Sequence, residues 1–169
     1  MPNLSLDLDY RPKLGKKQDY GIGIIGAGGI VNVAHLPAYR KAGFHVAGIT
    51  DLDQNRAAET ARQFKVPNIY PSVEALLNDP AVEIVDIAVP PWHQLELVKQ
   101  VTAAGKHLLC QKPLSNDYTE AVAIVEMGEA AGVKLAVNQQ MRWDQLIRAL
   151  RTLLDRGWLG EPVSATIDV

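Results

Sequence analysis

Six short apolar runs alternate with helix-patterned stretches between residues 20 and 139, and this alternation leaves few folds open. Strand and helix in strict turn build βαβ units, a parallel sheet and helices on both of its faces. The runs are "YGIGIIG" at 20–26, "HVAGITD" at 45–51, a weak "NIY" at 68–70, "EIVDIAV" at 83–89, "HLLCQ" at 107–111 and "VKLAVNQ" at 133–139. Most are apolar without polar alternation, as strands covered on both faces must be. Pro90 and Pro91 stop the fourth run and Pro113 the fifth, because proline cannot donate to a ladder.

The intervening helices carry their own punctuation. A helical pattern follows the first strand to about Ala42. "QNRAAETARQF" at 54–64 has Asp53 as N-cap, and "SVEALLN" at 72–78 has Ser72. A helix after Pro91 reaches about Ala104 and ends on Gly105 as C′ residue. "DYTEAVAIVEMGEAAG" occupies 117–132. "WDQLIRALRTLLDRG" at 143–157 is amphipathic, with Ile147, Leu150 and Leu154 on one face. The expected fold class is therefore α/β, a doubly wound parallel sheet over 20–142. Residues 1–19 lack a periodic apolar face and read as an arm or disordered leader.

The final stretch breaks the pattern. "PVSATIDV" at 162–169 alternates, with Val163, Ala165, Ile167 and Val169 facing one way. A half-buried strand of a different sheet is expected there. Residues 143–169 then read as a connecting helix and the first strand of a truncated second α+β domain. An edge strand added to the first sheet is the alternative.

With 169 residues and a net charge of −2, nothing suggests nucleic acid or a membrane surface as partner. Cys110 is the one cysteine, so no intrachain disulfide forms. No apolar run approaches the length of a span, and the N-terminus lacks the apolar centre of a signal peptide. The expected compartment is the cytoplasm. No cluster of His, Cys and Asp has metal-ligand spacing.

Glycines concentrate where the first strand meets the first helix, as Gly26-x-Gly28-x-x-Val31, with Gly29 and Ile30 opening the helix. A dinucleotide fold uses the first glycine for a tight turn and the second for close approach of a pyrophosphate to the helix N-terminus. Val31 is larger than the Gly or Ala usual at the third position. Asp51 ends the second strand, 23 residues after Gly28, where a carboxylate accepts from ribose hydroxyls and repels a 2′-phosphate. Leu52 and Asp53 follow it, with no arginine. NAD is expected in preference to NADP. The plain alternative makes the glycines simple turn residues and Asp51 a solvated strand end.

Together, "GIIGAGGIVNVAHLPAY", "DIAVPPWHQLELVKQVTAAGKHLLCQKPLS" and "MRW…LLDRGWLGEP" resemble the Gfo/Idh/MocA oxidoreductases, over residues 20 to 169. The resemblance implies an N-terminal Rossmann NAD(P)-binding domain and a second α/β domain with an open antiparallel sheet. It matches the family's Glu-Lys-Pro motif to Gln111-Lys112-Pro113 and so implies Lys112 as the catalytic lysine near the nicotinamide. Gln111 stands where the family's acid contacts the nicotinamide ribose. Pro90, Pro91 and Trp92 match the loop lining the nicotinamide side. Arg142 matches an arginine near the cofactor or the domain junction. The cofactor-binding set is then Gly26, Gly28, Gly29, Ile30, Asp51, Pro90, Trp92, Gln111 and Arg142, with no metal.

The implied activity is hydride transfer between NAD and a secondary alcohol or ketone of a sugar, inositol or related polyol. Homo-oligomers through the second domain are also implied. Two other readings stay open: a non-catalytic NAD-binding module, and a relative that uses transient oxidation to cleave glycosides. The family's usual histidine position falls on Gln94, one after His93. Cys110 reads as a packed core thiol, His35 as a packing or capping residue of the first helix, and Trp143 and Trp158 as packing residues.

Overall fold

The computed structural model describes residues 15–166. Residues Lys16–Asn138 form one compact unit, and residues from Gln139 onward fall in a second. The first unit is a sheet of β1 (Gly21–Ile25), β2 (His45–Thr50), β3 (Ile84–Ile87), β4 (His107–Gln111) and β5 (Leu135–Asn138). The strand order is β2-β1-β3-β4-β5 and every pairing is parallel. The order reverses between β1 and β3, the point outside the carboxyl ends of the strands where open α/β sheets bind their ligands.

Between the strands lie α1 (Leu36–Ala42), α2 (Gln54–Phe64), α3 (Val73–Asn78), α4 (Gln94–Ala103) and α5 (Tyr118–Ala130). Asp53 accepts from the Asn55 and Arg56 amides, Ser72 from Ala75, and Asp117 from Glu120. At the end of α4 the Gly105 amide donates to Thr102 O and Lys106 to Val101 O, with Gly105 at φ 67°. These two bonds close a Schellman turn, which needs the left-handed residue that glycine supplies.

Successive strand residues point to opposite faces, and two cores result. One holds Val85, Ile87, Val98, Val101, Cys110 and Ile124. The other holds Ile22, Ile24, Val31, Leu36, Ile49 and Ala61.

Two expectations are corrected. The run at 68–70 is a single bridge, Ile69 to Ile49, and no strand. It is only three residues long, and Pro67 and Pro71 flank it without amide donors. The first helix is not regular: Val31–His35 is a π-helical turn ahead of α1, with the Leu36 amide donating to Val31 O. Pro37 explains this, since its ring crowds the carbonyl four residues back and it has no N–H to offer. At the other end, 162–166 form no strand and are exposed. A ladder needs a partner strand, and none pairs with them among the described residues. Residues 167–169 lie outside the described residues, as do 1–14 of the expected arm. Lys17, within that arm, makes an ion pair with Glu83 of 2.6 Å.

The second unit holds a turn at Gln140–Trp143 and α6 (Gln145–Asp155), capped by Asp144 on the Leu146 and Ile147 amides. Ile147, Leu150 and Leu154 remain 44%, 47% and 36% exposed, so the apolar face the spacing marks is an open one.

Candidate cofactor and active site

Gly26 turns the chain at the carboxyl end of β1 with φ 105°. An L-residue rarely adopts that angle. A Cβ there would also stand 2.5 Å from Ala88 O of the neighbouring strand's end. Gly28 and Gly29 differ. A Cβ on either would meet no protein atom within 4 Å, so the turn opens onto free space. The helical stretch starting at residue 29 offers its first amides toward that space. Ile30 is 43% exposed beside it. A cradle of bare backbone at a helix N-terminus suits a pyrophosphate, so the residues present fit a dinucleotide.

Asp51 stands at the end of the adjacent strand, β2. Its Oδ2 accepts the Ala27 amide over 2.7 Å, and its Oδ1 accepts the Asp53 amide over 2.8 Å. These bonds dock the end of β2 against the glycine turn. Each oxygen keeps a lone pair for a further donor. Arg56, from the first turn of α2, brings Nη1 within 3.9 Å of Asp51 Oδ1. Adjacency in sequence did not show this arginine; one helical turn after the Asp53 cap brings it back.

Pro90 and Trp92 follow β3, with Pro91–His93 as a 3₁₀ turn leading into α4. Trp92 is 67% exposed, and its ring meets that of His93 edge-on at 6.0 Å. Lys112 follows β4 and is exposed, and its peptide bond to Pro113 is cis. Two amide side chains grip its loop. Gln94 is fully buried, and its Nε2 donates to Gln111 O and to Pro113 O, both over 2.8 Å. Gln111 Oε1 accepts the Lys112 amide over 2.7 Å. Both grips hold the backbone and leave the lysine side chain free to face outward.

Thus Gly26, Gly28, Gly29, Ile30, Asp51, Pro90, Trp92, Gln111 and Lys112 all gather at the carboxyl ends of the strands. Arg142 lies in the second unit, exposed on the turn Gln140–Trp143.

Sequence reasoning missed the polar group beneath this edge. Asp86 lies mid-strand in β3 on the face covered by the first helix, and is fully buried. Its Oδ2 meets His35 Nδ1 at 2.7 Å and accepts the Tyr39 hydroxyl over 2.8 Å. Burial first, then the Asp86 charge, raises the Tyr39 phenol well above its ordinary range. The same two causes raise the Cys110 thiol to about 12. Asp86 Oδ1 has no partner among the described residues, a cost the two donors on Oδ2 must offset. One signal was available: an acid inside the apolar "EIVDIAV", with a histidine and a tyrosine four apart in the first helix.

A family profile described as "Oxidoreductase family, NAD-binding Rossmann fold" matches residues 20–139. The 1,5-anhydro-D-fructose reductase of Ensifer adhaerens is 31% identical over 145 residues, covering 86% of this chain and 44% of that protein. The D-xylose 1-dehydrogenase (NADP(+)) 2 of Haloferax volcanii is 33% identical, covering 85% and 44%. An oxidoreductase from Agrobacterium radiobacter, solved in complex with NAD+, L-tartaric acid and magnesium, superposes with a TM-score of 0.78. It shares 31% identity and covers 85% of this chain and 42% of its own. The chain therefore spans less than half the length of these relatives. From the profile match and these relatives, the chain belongs to the Gfo/Idh/MocA oxidoreductase family.

Proposed function

We propose that this chain is the cofactor-binding part of an NAD-dependent oxidoreductase acting on a secondary alcohol or ketone of a sugar, inositol or similar polyol. The observation that carries the reading is Asp51 docked 2.7 Å from the Ala27 amide, beside glycines that open onto free space. Gly28, Gly29 and the helix amides would hold the pyrophosphate, and Asp51 the adenosine ribose. Bound nicotinamide supplies the hydride acceptor or donor at its C4. Lys112 donates a hydrogen bond to the substrate oxygen and, in the reductive direction, stabilises the negative charge that grows there as hydride adds to the carbonyl carbon. In the oxidative direction the same contact favours the alkoxide from which hydride departs, once the hydroxyl proton has been lost to solvent or a base. Gln94 and Gln111 hold its backbone in place. The sugar class is supported by relatives named for anhydrofructose and xylose.

The test is a titration of the chain with NADH and with NADPH, read by energy transfer from tryptophan to the reduced nicotinamide. Saturable binding that favours NADH supports the reading. Binding of neither by the folded chain sinks it.

Arg56 favours a second reading, in which NADP is also accepted. Its guanidinium, 3.9 Å from Asp51, could swing to a 2′-phosphate that the carboxylate alone would repel. An Arg56→Ala variant that loses NADPH binding and keeps NADH binding would establish it.

A further inference from the structure

His35 sits 5% exposed where the π-helical turn brings it over the sheet, and a backbone N–H fixes the direction of the hydrogen bonds that reach its ring. The Lys112 backbone N–H can only donate, so the Gln111 oxygen, 2.7 Å away, must face it. The other end of the same amide, an NH₂, then faces His35 Nε2 at 3.1 Å. Asn138 Nδ2 lies 3.1 Å from that same ring nitrogen. Gln111 and Asn138 are register partners on β4 and β5, so the sheet itself brings their amides together. The Gln111 donor makes that nitrogen an acceptor, and the Asn138 amide then turns its NH₂ to the same nitrogen. The ring proton is then on Nδ1, which faces Asp86 Oδ2 at 2.7 Å. Tyr39 donates to that oxygen too, so no donor is left facing Nδ1.

We propose that His35 is held as the Nδ1–H tautomer, and that its bare Nε2 orients Gln111 and through it the Lys112 backbone. His35 and Gln111 are positioning residues. Hydrogen bonds run one way, from Lys112 N–H to Gln111, from Gln111 N–H to His35 and from His35 N–H to Asp86. An amide at 111 completes this line. A carboxylate at 111 would set an oxygen lone pair against the Nε2 lone pair, and a proton would have to enter between them. The catalytic meaning of the arrangement rests on the proposed role of Lys112; the tautomer does not.

The experiment uses the chain labelled with ¹⁵N-histidine and no cofactor. Long-range ¹H–¹⁵N spectra report which ring nitrogens carry protons, with His35 assigned through His45→Gln, His93→Gln and His107→Gln. In the unaltered chain His35 should be protonated at Nδ1 and bare at Nε2. In a folded Gln111→Glu the Nε2 signal should move, because a proton now lies between that nitrogen and the carboxyl group. In Gln111→Leu the tautomer should persist, while the Lys112 amide exchanges with solvent at least tenfold faster. A His35 that is Nε2–H or doubly protonated in the unaltered chain overturns the proposal, and this holds even if the variants do not fold. Unchanged ring signals in a folded Gln111→Glu overturn it as well. Full activity of Lys112→Ala in the full-length protein would overturn the role of the lysine and leave the tautomer standing.

Discussion

The Ala27 amide donates to the Asp51 carboxylate over 2.7 Å and so joins the turn after β1 to the end of β2. The acid serves the fold and the candidate ribose site with different lone pairs. Asp51→Ala should weaken NADH binding roughly tenfold or more, since a hydrogen bond to a charged group is worth about 1.5–3 kcal/mol. The preference for NADH over NADPH should shrink with it. Fluorescence titrations with both nucleotides measure each effect.

Gly26 and Gly28 should separate folding from binding. Gly26→Ala combines φ 105° with a Cβ 2.5 Å from Ala88 O, so a loss of about 2 kcal/mol or more is expected in urea melts. Gly28→Ala places its methyl in open space. It should melt as the unaltered chain does and bind NADH at least tenfold more weakly.

The parallel sheet, its caps and the glycine turn were legible because each is local. Asp53, Ser72 and Gly105 announce helix ends through their own side chains or backbone, and apolar runs announce buried strands. The group beneath the edge was not legible for the opposite reason. His35 and Asp86 are 51 residues apart, and only β3 pairing beside β1 under the first helix brings them together. Gln94 was passed over in the same way, because its role depends on carbonyls 17 and 19 residues away. The alternation at 162–169 marks a face without supplying a partner, and nothing pairs with 162–166 among the described residues.

Asp86→Ala should cost about 2–4 kcal/mol, because it leaves the Tyr39 hydroxyl and the His35 N–H without their acceptor in the interior. Tyr39→Phe removes one donor of two and should cost about 1–2 kcal/mol. Calorimetric or urea unfolding distinguishes them, with Asp86→Ala the larger loss.

Gln94→Leu should free the carbonyls of Gln111 and Pro113 from their shared donor. Amide exchange around Lys112 should quicken, and in the full-length protein kcat should fall more than KM rises. Equal changes in both would mean that the grip serves binding and not the lysine.

Cys110 gives an alkaline signature. Its thiol is raised from an ordinary 9.0 to about 12, by burial and then by Asp86. The neutral form is the one the fold favours. The stability this represents is whole below pH 9 and is lost as pH rises toward 12, because the unfolded thiol ionises first. Between pH 8 and 10.5 the unaltered chain should therefore lose more stability than Cys110→Ala. A thiol reagent should leave the folded chain unmodified at pH 8 and react once it is unfolded.

The parallel sheet presents its candidate site along one edge and its packing along two faces. Gly28 and Lys112 stand clear of the interior and can be exchanged with little disturbance to it, so the proposed pyrophosphate and substrate contacts can be retuned separately. His35 and Asp86 are the exception, since they belong to both. A change there alters the interior and the lysine loop at once, so this pair sets a limit on how far the site can be varied while the scaffold stays the same.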